Sequence, residues 1–150
     1  MKIETLNFCI TPLDREVKVR VFTPDGYESG EKQYPVLYVN DGQDLFCDQQ
    51  TFWGAESLRF EQYYRDYGKF VPDVILVAIE SPNDHAKRTA QYSPFTKDFV
   101  VPEGKTFEPY IEGKGVEYLE WMTKELKPAI DRRYRTLADA DHTGICGYST

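Results

Sequence analysis

The chain has no surplus of positive charge. Eighteen Lys and Arg stand against 25 Asp and Glu, a formal net charge of -7 over 150 residues. Such a balance gives no basic footprint for a phosphate backbone or an anionic lipid surface, so nucleic acid and membrane are excluded as expected partners. Long apolar runs are also missing: none approaches the ~20 residues that a membrane span needs. Met1-Lys2-Ile3-Glu4-Thr5 puts charge where a signal peptide would carry its apolar core, and the expected location is the cytoplasm. Cysteine is sparse. Cys9, Cys47 and Cys146 are odd in number and form no C-x-x-C pair, which argues against a disulfide framework or a zinc site and for reduced, buried thiols. Asp41, Asp44, Asp48, Glu80 and Asp84 lack the spacing of a calcium loop, and Gly113-Lys114-Gly115 lacks that of a phosphate loop. No metal and no cofactor is expected. There are only two histidines, His85 and His142, and each is read as an ordinary surface residue.

What is present is ample material for one core: 41% hydrophobic and 15% aromatic residues. Leu6 to Ile10 and Val17 to Phe22 alternate apolar and polar positions around Thr11-Pro12-Leu13-Asp14, the pattern of an antiparallel hairpin. Tyr34 to Asn40 and Val74 to Ile79 are near-continuous apolar runs, as in strands covered on both faces. Between them Leu58, Phe60, Tyr63, Tyr64 and Tyr67 recur at helical intervals, predicting a helix over 54–67 that Gly68 ends. Strand, helix, strand with a crossover of this length implies a parallel pair. Ser81 to Gly113 reads as a long loop with at most a short helical turn, lying over the sheet edge where ligands bind. Val116, Leu119, Met122, Leu126 and Ile130 predict one buried face of an amphipathic helix in which Pro128 introduces a kink. Gly144 to Tyr148 follows as a buried strand. The sum is an α/β fold.

The end of the chain carries the chemistry. Gly147-Tyr148-Ser149 is the first half of a G-x-S-x-G nucleophile elbow, in which a strand turns sharply into a helix and exposes a serine hydroxyl. By itself the triplet is weak evidence, and a buried strand leading into an ordinary turn is the better reading of it alone. Four further blocks accompany it: Arg20-Val21-Phe22-Thr23-Pro24 with Gly26-Tyr27, Tyr34 to Phe46 with its Asp41-Gly42-Gln43-Asp44 loop, Arg88-x-x-x-Tyr92-x-Pro94, and Tyr118-Leu119 with Glu125 to Thr136. In this order they resemble the esterase family of α/β-hydrolases that includes enterochelin-esterase-like proteins, esterase D and feruloyl esterases.

The resemblance implies an α/β-hydrolase-like, mostly parallel sheet with an N-terminal antiparallel hairpin, of which residues 1–150 form the N-terminal part of a single domain and the C-terminal part is missing. It implies a serine ester hydrolase acting on a small-molecule ester through an acyl-enzyme, with Ser149 as nucleophile. The oxyanion hole is then formed by the backbone N–H of Thr150 and by the turn after the third strand, with Gln43 favoured over Gly42 as donor; a plain Asp-Gly turn is the simpler reading of that stretch. Asp41, Arg88 and Tyr92 are candidate substrate contacts, against a solvated arginine and a packed tyrosine. Trp53, Phe46 and Phe95 suggest an aromatic wall or, more simply, core. The triad's acid and base follow the serine in this fold, so both are expected beyond Thr150. A chain lacking them is alternatively a non-catalytic remnant or a module that binds a ligand or partner. Its last strand would be an uncovered edge, so self-association is expected.

Overall fold

The computed structural model describes residues 1–48, 51, 54, 56–98, 103–104 and 110–148. The expected hairpin is longer at both ends than the alternation suggests: β1 (Lys2–Ile10) pairs antiparallel with β2 (Arg15–Thr23) through a 3-10 turn at Thr11–Leu13. Among the described residues, these two join β3 (Val36–Asn40), β4 (Ile75–Ile79) and β7 (Thr143–Cys146) in one sheet of order β1-β2-β4-β3-β7. β4 runs antiparallel to β2 and parallel to β3, and β3 runs parallel to β7. The antiparallel part therefore extends one strand beyond the hairpin, and the sheet is mixed.

Period-two alternation divides β4 between two cores. Ile75, Val77 and Ile79 face the side that Val17, Val19, Val21, Tyr38, Trp121, Leu126 and Ile130 also occupy, whereas Leu76 and Ala78 face Phe22, Leu45, Phe46 and Tyr64. This accounts for the unbroken apolar run, since both faces of the strand are covered.

Three expectations change. The helix before β4, α1, covers Phe60–Tyr67 and does not begin at Gly54. Arg59 has φ 49, a left-handed conformation that cannot continue a helix, and the backbone N–H groups of Leu58 and Phe60 donate to the carbonyls of Asp44 and Leu45. The 81–113 stretch holds a full helix, α2 (His85–Tyr92), and a short hairpin of β5 (Lys97–Asp98) with β6 (Tyr110–Ile111). Asp84 caps α2 by accepting from the Lys87 N–H at 2.8 Å. The amphipathic helix is built as α3 (Gly115–Trp121), a wide π-turn at Met122–Leu126 and α4 (Lys127–Arg133). Met122, Leu126 and Ile130 are buried as expected, but in α3 the inward face is offset from the expected one. Tyr118 and Trp121 take the buried positions while Val116 and Leu119 stay half exposed, because the two aromatic side chains offer more apolar surface to the sheet. The π-turn lies just before Pro128, which has no N–H for the carbonyl four residues back.

β7 is also not buried. It is an edge strand among the described residues, with Gly144, Ile145 and Cys146 exposed and Ile145 at 53%. The reading of a buried run fails on that face, and the accompanying expectation of an uncovered edge describes it.

Candidate active site

The connection from β3 to β4 carries α1 over one face, and the connection from β4 to β7 carries α3 and α4 over the other. The chain thus reverses its direction of travel about β3. In open α/β sheets the crevice at the C-terminal ends of the strands, where such a reversal occurs, is where ligands bind. Asp41, Gly42, Arg88 and Tyr92, singled out from the sequence, lie at this end of the sheet.

Val39 is paired with Cys146 in the parallel ladder, so the residues that follow the two strands leave side by side. They are tightly apposed: a Cβ on Gly147 would lie 3.3 Å from both the Cβ and the Nδ2 of Asn40. Asn40 is held from the other face by the Tyr118 hydroxyl, which donates to its Oδ1 at 2.8 Å. The turn after β3, a 3-10 turn over Gly42–Asp44, begins at Asp41 with φ 55. Gly42 is required by close approach. A Cβ there would sit 2.3 Å from the carbonyl carbon of Ala78 and 2.5 Å from the nitrogen of Ile79, inside the backbone of β4. Gln43 is buried, and its side-chain amide stitches this turn to the one after β4: Nε2 donates to Ser81 Oγ at 2.7 Å, and Oε1 accepts from the Ser81 N–H at 3.0 Å.

α2 brings in the second group. Arg88 and Tyr92 are one helical turn apart and point the same way. The Arg88 guanidinium grips Asp41 with two bonds, Nε to Oδ1 at 2.7 Å and Nη2 to Oδ2 at 2.8 Å, and Nη2 also donates to the Tyr148 carbonyl at 3.2 Å. The Tyr92 hydroxyl donates to Asp41 Oδ1 at 3.3 Å and accepts from the Asp41 N–H at 3.2 Å. Hydrogen bonding to the Asp41 carboxylate raises the Arg88 pKa above its ordinary value, despite burial. Burial raises that of Tyr92 well above the usual phenol range, and the Asp41 charge adds to it. Tyr92 is thus a neutral hydrogen-bonding group at physiological pH.

The structure therefore brings Asp41, Gly42, Gln43, Arg88 and Tyr92 together around the end of β3, with Arg88 reaching the residues that follow β7. Ser149, Thr150 and Trp53 lie outside the described residues. Phe46 is core and Phe95 is exposed, so these two form no common wall. Cys9 and Cys47 are half-buried and Cys146 is exposed, with all three free, which corrects the expectation of buried thiols. His85 and His142 are both at the surface, and His142 Nδ1 pairs with Asp139 at the opposite end of β7. Asn40, Ser81 and Tyr118 were not singled out as site residues from the sequence. The Arg88-x-x-x-Tyr92 spacing was the available signal that two polar groups share a helix face; no comparable spacing flags a contact between Tyr118 and Asn40.

Beside these groups, on the α1 face of β3 and β7, lies an open cavity of about 660 Å³. Leu37, Val39, Leu45, Phe60 and Leu76 give it an apolar floor, and Asp41, Asp44 and Arg88 form part of its polar end. No helix among the described residues is long and apolar enough to cross a membrane.

Known proteins resemble this chain in sequence or in fold. The chain is 26% identical over 129 residues to the uncharacterized protein YbbA of Bacillus subtilis (strain 168), matching 86% of its own length and 45% of that protein's. An IroE-like serine hydrolase from Shewanella oneidensis superposes with a TM-score of 0.60 at 26% identity, over 90% of this chain and 39% of the other. The siderophore hydrolase EstA from Aspergillus nidulans gives 0.64 at 20% identity, over 98% and 49%, and shares the fold. The chain spans about half the length of these relatives or less. Residues 10–150 match the family described as "Putative esterase", and the chain belongs to that esterase family of α/β-hydrolase-like proteins.

Proposed function

We propose that this protein is a serine ester hydrolase of small-molecule esters, and that residues 1–150 are the N-terminal part of its single catalytic domain. One observation carries the reading: two adjacent parallel strands deliver Gly147-Tyr148 and Asp41-Gly42-Gln43 to the same crevice. Ser149, next in the chain after Tyr148, is the nucleophile. Its hydroxyl adds to the ester carbonyl as a base removes the proton; collapse of the tetrahedral intermediate expels the alcohol and leaves an acyl-enzyme, which water then hydrolyses to the acid and free serine. The oxyanion is received by the backbone N–H of Thr150 and that of Gln43, with Gly42 allowing the turn to sit against β4. The 26% identity to a serine hydrolase supports the nucleophile assignment.

The base and its acidic partner come from residues outside 1–150. His85 is exposed on α2, and His142 precedes β7, so the four residues of that strand, about 3.3 Å each, separate it from the crevice by roughly 13 Å.

The test uses the whole gene product. A fluorophosphonate probe should label Ser149, and Ser149→Ala should abolish both labelling and cleavage of p-nitrophenyl esters. An unlabelled, inactive protein that still binds ester analogues would replace the hydrolase with a binding module.

A further inference from the structure

Arg88 has just 3% of its surface exposed, an unusual location for a residue whose unpaired charge would be costly to bury. Its guanidinium edge is matched to the Asp41 carboxylate, and the same Nη2 reaches the carbonyl of Tyr148. Asp41 starts the turn that contains Gly42 and Gln43, whereas the Tyr148 carbonyl is joined through a planar peptide bond to Ser149. One side chain on α2 therefore ties together the ends of β3 and β7, and those ends are linked by no ladder bond beyond Val39 and Cys146 among the described residues. The tie also sustains an unfavourable backbone. Asp41 is held at φ 55, a left-handed conformation disfavoured for a non-glycine residue, and its side chain and N–H are gripped by Arg88 and Tyr92.

We propose that Arg88 is a positioning residue, which with Asp41 and Tyr92 sets the distance between the oxyanion-binding turn and the nucleophile. This rests on the esterase reading above. A role in positioning differs from substrate contact in what it changes. A group that touches substrate in the ground state moves KM, whereas one that fixes the spacing of nucleophile and oxyanion donors moves kcat. Lysine cannot replace the guanidinium here, because one ammonium cannot hold both carboxylate oxygens and the Tyr148 carbonyl in a planar fork.

The experiment measures ester hydrolysis by the whole gene product and its Arg88→Lys, Arg88→Ala, Asp41→Asn and Arg88→Lys/Asp41→Asn variants, with circular dichroism to confirm folding. Arg88→Lys should lower kcat by about 100-fold, the scale of a 1 Å misplacement, while KM stays within about twofold. The double variant should lose little beyond either single one, since the two side chains act as a unit. Added guanidinium or methylguanidinium should restore part of the turnover of Arg88→Ala and none of that of Ser149→Ala. A loss confined to KM, additive losses, or unchanged kcat would overturn the proposal, and Tyr92→Phe gives the same readouts if the Arg88 variants do not fold. A wild-type protein with neither esterase activity nor Ser149 labelling would overturn the esterase reading itself, whereas an active wild type with an unaffected Arg88→Lys overturns this inference alone.

Discussion

Replacing Gly42 with alanine adds one methyl group at a point where the backbone leaves no room for it. The new Cβ would lie 2.3, 2.5 and 2.7 Å from Ala78 C, Ile79 N and Ala78 O, against ordinary contact distances of 3.4 Å and above. All three atoms belong to the backbone of a central strand, so the turn must retreat by about 1 Å because β4 cannot. Overpacking of this kind costs about 1–3 kcal/mol, and for a domain of this size each kcal/mol lowers Tm by roughly 2–4 °C. The retreat carries Gln43 with it. Its amide must then either release Ser81 or pull the turn after β4 out of place. If the Gln43 N–H is an oxyanion donor, a displacement of that size lowers kcat by about 100-fold with a much smaller change in KM, because the donor is used most in the transition state. The assay pairs a thermal melt with p-nitrophenyl ester kinetics on the whole gene product. Gly144→Ala is the control, since its Cβ would meet only the tip of the Leu37 side chain at 3.1 Å. A Gly42→Ala protein that melts and turns over like the wild type would refute both the packing argument and the placement of the turn.

Three other outcomes are expected. Asp84→Ala removes the cap of α2 and should cost about 1 kcal/mol of stability; because α2 carries Arg88 and Tyr92, kcat should fall before any change in KM is seen. Burial raises the pKa of Tyr38, Tyr92 and Tyr118 above the ordinary value of 10.0, so their neutral forms stabilise the fold fully below about pH 10 and this contribution is lost as pH rises further; denaturant midpoints measured from pH 8 upward should be level and then decline, with phenolate absorbance appearing alongside unfolding, and early phenolate absorbance in the native state would contradict it. Expressed as residues 1–150 alone, the polypeptide should sediment as oligomers through the open edge of β7, and Ile145→Lys should shift it toward monomer; a monodisperse wild-type fragment would count against the exposed edge.

Much of the architecture follows from local pattern. Alternation at Val17, Val19 and Val21 and the unbroken run of β4 report how many faces of a strand are covered, a property that the side-chain period of two writes directly into the chain. Gly147-Tyr148-Ser149 and Asp41-Gly42-Gln43-Asp44 mark two stretches with chemistry, yet neither pattern says that they adjoin. Their meeting depends on β7 pairing with β3, residues about a hundred positions apart in sequence, and on Gly42 omitting a side chain that would collide with the backbone of β4. Helix limits and faces were also decided by competition that a single period cannot express. Leu58 and Phe60 give their N–H groups to the turn after β3, which delays α1, and Tyr118 and Trp121 outcompete Val116 and Leu119 for the sheet. The charge of Arg88 was visible from the start, but its partner was not. Only the tertiary fold places a buried guanidinium between a carboxylate and a carbonyl on two different strand ends, because such a pair is selected by what can be desolvated together and not by distance along the chain.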